Sequence, residues 1–361
     1  MKTSRAAVQI GVRQVELQTF PVPEDLAPGF ALLRVEASGM CGTDISQYDG
    51  HTRSLGMYEY PAVLGHEAVG YIAAITPEGE AHWGVKEGDR VAVEPAMPCA
   101  RCGQCTRGHL THCERRFVYG FRSTTEEGAL WGAYSEFMLI HPQSSLHLMS
   151  PDIPIRHAAM FNAVAGGIDW TVRQSGLEAG EDVVLLAPGM RTLTGVIGAR
   201  RAGARNIIVV GRGNERKAEL ARYYGATHVL DSTKEDVVAE VKEITGQGAQ
   251  RIIDFTPHEL WTLDASVAMA DKGATIVVVG LKNSASAFDL NPILRKSLAI
   301  KGTAGPTHEG YIEGVALINS REEDLDPLHT HNFSISDAEA AIRTLSGEIK
   351  SELALGITVS A

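Results

Sequence analysis

From about residue 160 onward, short apolar runs recur with helix-like stretches between them, and no other feature of the sequence limits the possible folds so tightly. The runs are VVLLA (183–187), NIIVV (206–210), THVL (227–230), RIIDF (251–255) and ATIVVVG (274–280), separated by stretches such as NERKAELARYYGA. Alternation of strand and helix predicts a parallel, doubly wound sheet of the Rossmann type. At 361 residues the chain exceeds what one hydrophobic core serves, so a second domain is expected.

A doubly wound sheet binds a dinucleotide at the turn after its first strand, where G-x-G-x-x-G is expected. The turn reads APGMRTLTG, and the three glycine positions fall on Ala187, Gly189 and Thr192. Only the middle glycine is present. It is the one that lets the backbone approach a pyrophosphate, while Thr192 predicts looser or differently shaped packing of helix on strand. Met190 and Arg191 in this turn, and Val279 and Gly280 at the end of the fifth run, complete the candidate cofactor contacts. Cofactor choice is read at the end of the second strand, where an acidic residue holds the ribose hydroxyls of NAD. Arg212 stands there, with Arg216 and Lys217 nearby. A guanidinium binds a ribose phosphate by charge-assisted hydrogen bonds, so NADP is favoured over NAD. A solvated basic helix start is the alternative reading.

Cys99, Cys102, Cys105 and Cys113 follow a C-x2-C-x2-C-x7-C spacing. Two-residue gaps let successive sulfurs converge, and four thiolates complete a closed tetrahedral zinc site. Gly103 and Gly108 are expected to supply the tight turns. With no vacant position, such a site staples a lobe and leaves chemistry elsewhere. A redox pair or a nucleic-acid-binding zinc ribbon is the alternative. The balance of 33 Lys and Arg against 44 Asp and Glu, a formal charge of -11, speaks against nucleic-acid and anionic-membrane partners. The N-terminus lacks the apolar segment of a signal peptide and no stretch has membrane-spanning length, so a cytoplasmic location is expected, where thiols stay reduced and cluster around metals.

The fifth cysteine, Cys41, lies in GMCGTDISQYDG, and YPAVLGHEAVG follows with His66 and Glu67 adjacent. Thiolate, imidazole and carboxylate all bind zinc, and three protein ligands plus an open position define a catalytic site. The motifs CGTD, GHEAVG and the four-cysteine lobe, in this order, resemble the zinc-containing medium-chain dehydrogenase/reductase family of alcohol and polyol dehydrogenases. The resemblance covers nearly the whole chain. It implies a β-rich GroES-like catalytic domain formed by 1–161 and 304–361, with a zinc lobe at about 95–115, and a Rossmann domain at 162–303. It further implies catalytic-zinc ligands Cys41 and His66, Glu67 beside the metal, and Asp44 orienting His66. Thr43 becomes the hydroxyl that takes the substrate proton. Two zincs per subunit, a homodimer or homotetramer and a small-molecule alcohol or ketone substrate follow from the same resemblance.

The chain departs from the family pattern at two points. The position of a fourth zinc ligand holds Asn162, whose neutral amide is a weak ligand. The proton path has Ser46 where many relatives have histidine; serine relays a proton through water without acting as a base. His51 in the following loop is a possible substitute. Tyr48, Met57, Tyr58, Tyr60, Phe117, Tyr119, Trp131 and Phe161 form an apolar, aromatic set, from which Tyr58, Tyr119, Trp131 and Phe161 are expected to line the substrate pocket. That favours a hydrophobic or cyclic secondary alcohol or ketone over a polyol. A polyol or sugar dehydrogenase is the alternative within the family, and a non-catalytic zinc-stapled nucleotide-binding protein the alternative outside it.

Overall fold

The computed structural model describes residues 2–54, 59–125, 129–282, 289–303 and 305–361. The chain forms two compact units, Ala163–Gly314 and a unit made of Met1–Asn162 with Val315–Ala361.

In Ala163–Gly314 all five expected strands form, at Asp182–Leu186, Asn206–Gly211, His228–Asp231, Ala249–Asp254 and Ala270–Val278, followed by a sixth at Ala299–Gly302. Numbered in chain order, they lie 3-2-1-4-5-6 across the sheet, and every neighbouring pair is parallel. The order in which strands are added reverses between the first and fourth strands, which creates a crevice at their carboxyl ends. Val184, Leu186, Ile208, Val210 and Ile252 are buried in one core cluster, which explains why these strands read as continuous apolar runs. The helix Glu215–Tyr224 begins at Asn214, whose side chain accepts the Lys217 N–H at 3.0 Å, and ends at Gly225 with φ 112°.

This unit runs on to Gly314, beyond the expected crossing at 303/304. The buried Asp169 carboxylate accepts the Thr307 N–H at 3.0 Å and its hydroxyl at 2.8 Å. Gly310 sits so close to Asp169, and Gly314 so close to Ala165, that a Cβ at either would collide. These contacts hold the start of the helix His308–Ser320 in the cofactor-type unit.

The other unit is β-rich. A sheet runs in the order Leu146–Leu148, Arg90–Val93, Glu67–Ile75, Ala31–Gly39, Gly356–Ser360, His329–Ser334, and Phe137–Ile140 also pairs with Ala31–Gly39. A second sheet joins Gln14–Pro21, Thr3–Gly11 and Ala62–Val63. The main core gathers Leu33, Val35, Ile72, Val91, Leu130, Met138 and Ile140. Among the described residues no helix is long and apolar enough to cross a membrane.

Candidate active site

Strand register assembles the first cluster. Gly39 is the antiparallel partner of Glu67, so Cys41, two residues past one strand, and His66, one residue before the other, emerge side by side. Cys41 Sγ lies 3.3 Å from His66 Nε2, and Glu67 Oε1 lies 3.8 Å from the same nitrogen. Two glycines make this possible. Gly65 takes φ 84° directly against the Tyr134 ring, and a Cβ on Gly39 would collide with Glu67 Oε2 and the Ala159 carbonyl.

Cys41 also caps the helix Gly42–Tyr48. The Asp44 carboxylate accepts the Cys41 N–H at 2.8 Å through Oδ2, and its Oδ1 accepts the Tyr134 hydroxyl at 3.1 Å. His66 Nδ1 is buried without a hydrogen-bond partner among the described residues, and Asp44 Oδ1 faces it at 3.6 Å. Thr43 and Ser46 are three residues apart on the same helix and share a face, both half-buried. His51 is exposed.

Burial alone lowers the His66 imidazole, but Asp44, Cys41 and Glu67 outweigh it and push the metal-free ring up to about 10. Burial raises Asp44, with the Cys41 N–H and the Tyr134 hydroxyl opposing. A surplus of negative groups around one buried imidazole suits a divalent cation. The soft sulfur, the ring nitrogen and the carboxylate oxygens provide the donor types zinc takes, so these residues fit that metal. Asn162 does not act as the fourth ligand here. Its Nδ2 donates to Glu67 Oε1 at 2.5 Å. A carboxylate only accepts, so the amide must present its NH2 group to Glu67.

The four-cysteine lobe closes as its spacing implies. All four sulfurs lie within 4.8 Å of one another. Cys102 Sγ is 3.5 Å from Cys105 Sγ and 4.0 Å from Cys113 Sγ. These separations straddle the edge of about 3.8 Å that zinc–sulfur bonds of about 2.3 Å impose on a tetrahedron. The Cys99 N–H donates to Cys113 Sγ at 3.1 Å, and N–H groups of Cys105 and Glu114 hold the Cys102 thiol down to about 6. Gly108 takes the expected left-handed turn at φ 83°, and Ala100 a second at φ 55°. Gly103 does not; it opens the short helix Gly103–Thr106, where no positive φ is needed.

At the cofactor turn Ala187, in the first fingerprint position, has φ 67°. The Thr192 hydroxyl donates to the Ala187 carbonyl, and the Gly189 N–H reaches the same oxygen at 2.7 Å. The third-position threonine therefore ties the turn down, and of the two outcomes expected of it the packing is differently shaped, not looser. Close approach has moved along the helix Met190–Arg201. A Cβ on Gly195 would meet Thr171 Oγ1, and one on Gly198 would lie 3.2 Å from Ile168 Cα. A Cβ on Gly189 would meet nothing nearer than the Ala187 oxygen at 4.0 Å, which leaves that backbone open. The helix starts immediately after it, presenting unpaired N–H groups suited to a pyrophosphate. Arg212 extends past the second strand and pairs with Glu259 at 3.1 Å, whereas Arg216 pairs with Glu219 of its own helix. Burial lowers the Lys217 ammonium.

Residues 27–151 match the Alcohol dehydrogenase GroES-like domain, and residues 193–320 the Zinc-binding dehydrogenase domain. A Mycobacterium tuberculosis protein named "Probable alcohol dehydrogenase" is 33% identical over 352 residues, 95% of each chain. The chain belongs to the zinc-containing medium-chain dehydrogenase family. The sorbitol dehydrogenase of Bacillus subtilis is 28% identical over 94% of this chain and 92% of its own. Among solved structures, an alcohol dehydrogenase from Thermus sp. ATN1 superposes with a TM-score of 0.85 at 25% identity over 99% of both chains. The protein is thus an NAD(P)-dependent alcohol dehydrogenase of α/β fold, a GroES-like β-rich unit with a Rossmann unit.

In this dehydrogenase the expected aromatic pocket is largely core. Tyr119 is fully buried, its hydroxyl paired with Ser144 Oγ at 2.7 Å and accepting the His141 N–H at 3.1 Å. Trp131 packs in the same core, 5.3 Å from Phe117, and Phe161 is fully buried. Composition cannot tell an aromatic that lines a cleft from one that fills a core. Tyr58, and Met57 beside it, lie outside the described residues. Phe121, unremarked in sequence, sets its ring 6.2 Å from His66 and nearly edge-on. Tyr134 and Gly39 also carry no sequence signal of their roles, since both act through partners far along the chain.

Proposed function

We propose that Cys41, His66 and Glu67 hold a catalytic zinc, that Cys99, Cys102, Cys105 and Cys113 hold a structural one, and that the enzyme interconverts a hydrophobic secondary alcohol and its ketone with NADP. The convergence of Cys41 Sγ and Glu67 Oε1 on His66 Nε2 carries this reading. Bound zinc supplies Lewis acidity to the substrate oxygen, and the bound dinucleotide exchanges hydride with the substrate carbon. Thr43 takes the alcohol proton, and Ser46, one turn on, passes it outward through water. Asp44 and Tyr134 fix the helix that carries Thr43, and Asn162 holds Glu67 in place. Gly189 admits the pyrophosphate, flanked by Ala187, Met190, Arg191 and Thr192, with Val279 and Gly280 held beside the end of the fourth strand by their N–H groups on the Asp254 carbonyl. Metal quantitation tests the core of this reading. Two zincs per chain are expected, falling to one in Cys41→Ala; one zinc in the wild type overturns the catalytic site.

Arg212 supports the NADP preference, because its exposed guanidinium already holds an anionic group, the Glu259 carboxylate. Arg212→Asp is expected to shift preference toward NAD, and an unchanged ratio overturns the assignment. Phe121 beside His66 supports an apolar substrate. Relatives named as sorbitol and erythritol/L-threitol dehydrogenases favour a polyol as the second reading. A panel of cyclic ketones against polyols separates the two. We also infer a cytoplasmic homo-oligomer. The outer strand Ala299–Gly302 is exposed at every residue and ends the sheet, an edge suited to a second copy. Light scattering at the monomer mass removes that inference.

A further inference from the structure

At the carboxyl end of the fourth Rossmann strand, beside Leu186 of the first, the fully buried carboxylate of Asp254 meets a lysine from the loop after the fifth strand. Lys282 Nζ lies 2.8 Å from Asp254 Oδ2 and donates to the Thr256 carbonyl at 2.5 Å and Thr262 Oγ1 at 3.1 Å. The ammonium's three protons thus have three acceptors. Asp254 in turn accepts the Thr256 N–H at 2.9 Å and the Thr262 hydroxyl at 2.8 Å. The backbone repeats the link. Val279 N–H reaches the Asp254 carbonyl at 2.9 Å, His258 N–H reaches the Leu281 carbonyl at 2.7 Å, and a Cβ on Gly280 would collide with the Thr256 carbonyl.

We propose that Lys282 is a positioning residue for the cofactor, fixing through Asp254 the two loops that border the nicotinamide half of the crevice. The inference rests on the cofactor reading above. A doubly wound sheet binds a dinucleotide as two halves, one on strands 1 to 3 and one on strands 4 to 6. Gly189 and Arg212 belong to the first half. The Lys282 clamp joins the fourth and fifth strands in the second, and among the described residues the only link from its loop to the first half is the exposed pair of Glu259 with Arg212, so its loss falls mainly on the nicotinamide half of the ligand.

The test titrates the purified full-length enzyme with NADPH and NADH by fluorescence, and with 2′,5′-ADP and AMP, which carry only the adenosine end, by calorimetry. Lys282→Met leaves Asp254 buried and unpaired, so the double variant Asp254→Asn, Lys282→Met, which removes both charges, is measured beside it, with Tm as the check on folding. In both, the Kd for the reduced dinucleotide is expected to rise about tenfold while that for the adenosine fragment rises far less. Lys282→Arg, which keeps the charge and donors, is expected to restore most of the affinity. Unchanged dinucleotide binding in the folded double variant overturns the proposal, as does equal weakening of dinucleotide and fragment, which marks a general structural role. A wild-type enzyme that binds neither ligand instead overturns the cofactor reading, and this inference with it.

Discussion

The amide of Asn162 donates to the carboxylate of Glu67 at 2.5 Å, so the residue at the family's fourth-ligand position holds the proposed ligand Glu67 instead. The site gives up one formal negative charge and gains a fixed Glu67. Groups that orient metal ligands in this way typically govern affinity by about 10- to 100-fold.

Asn162→Asp turns this donor into a second acceptor. Two buried carboxylates face each other, one is held above the usual carboxylate range, and the metal-free enzyme is expected to lose about 1–3 kcal/mol near neutral pH. Because the folded-state value is raised, the loss is relieved as pH falls and the carboxyl protonates. With zinc bound the added charge becomes favourable. Thermal denaturation at pH 5.5 and pH 8, with and without zinc, reads both effects; a metal-free Tm equal to wild type at both pH values contradicts them.

Tyr134→Phe removes a donor from the fully buried Asp44 carboxylate. Leaving a buried charged acceptor short of one partner costs about 1–3 kcal/mol. Urea unfolding is expected to show a lower midpoint with an unchanged slope.

Gly39→Ala pushes a methyl group into the space of Glu67 Oε2. Metal analysis is expected to fall from two zincs to one, with the lobe still loaded. Retention of both means that Glu67 moves aside without weakening the site.

Cys105→Ser opens the other cluster. Its zinc is expected to leave and Tm to drop, while Ala163–Gly314, a separate compact unit, still binds dinucleotide. Calorimetry with NADPH checks this, and lost cofactor binding in the folded variant argues against a purely structural lobe.

What the sequence reveals here depends on how far apart interacting residues lie. The Rossmann strands were legible because strands covered on both faces must be apolar throughout, as Val183–Leu186 and Ile207–Val210 are. The four-cysteine lobe was legible because its ligands are local. Cys41, His66 and Glu67 could be nominated by chemical type, but the Gly39–Glu67 register that joins them is not written in either motif. The Asn162 bond to Glu67 spans 95 residues and needs the helix Phe161–Ile168 in place before it exists. At Thr192 the sequence left looser and differently shaped packing both open, because a glycine rule describes space, whereas the hydroxyl contributes a hydrogen bond.

The same contrast sets an order of events for a chain leaving the ribosome. Cys99 to Cys113 can gather an ion as soon as that short loop is synthesised, with most of the protein still unmade. Cys41 and His66 cannot, because their sulfur and nitrogen meet only after two strands have zipped into register. On the proposed two-site reading, one ion would be taken up by a short loop that selects for thiolate affinity, and the other by a finished cavity that selects for size and shape. If both sites take zinc as proposed, scarcity of the metal is expected to leave newly made molecules with the lobe filled and the Cys41–His66 site empty.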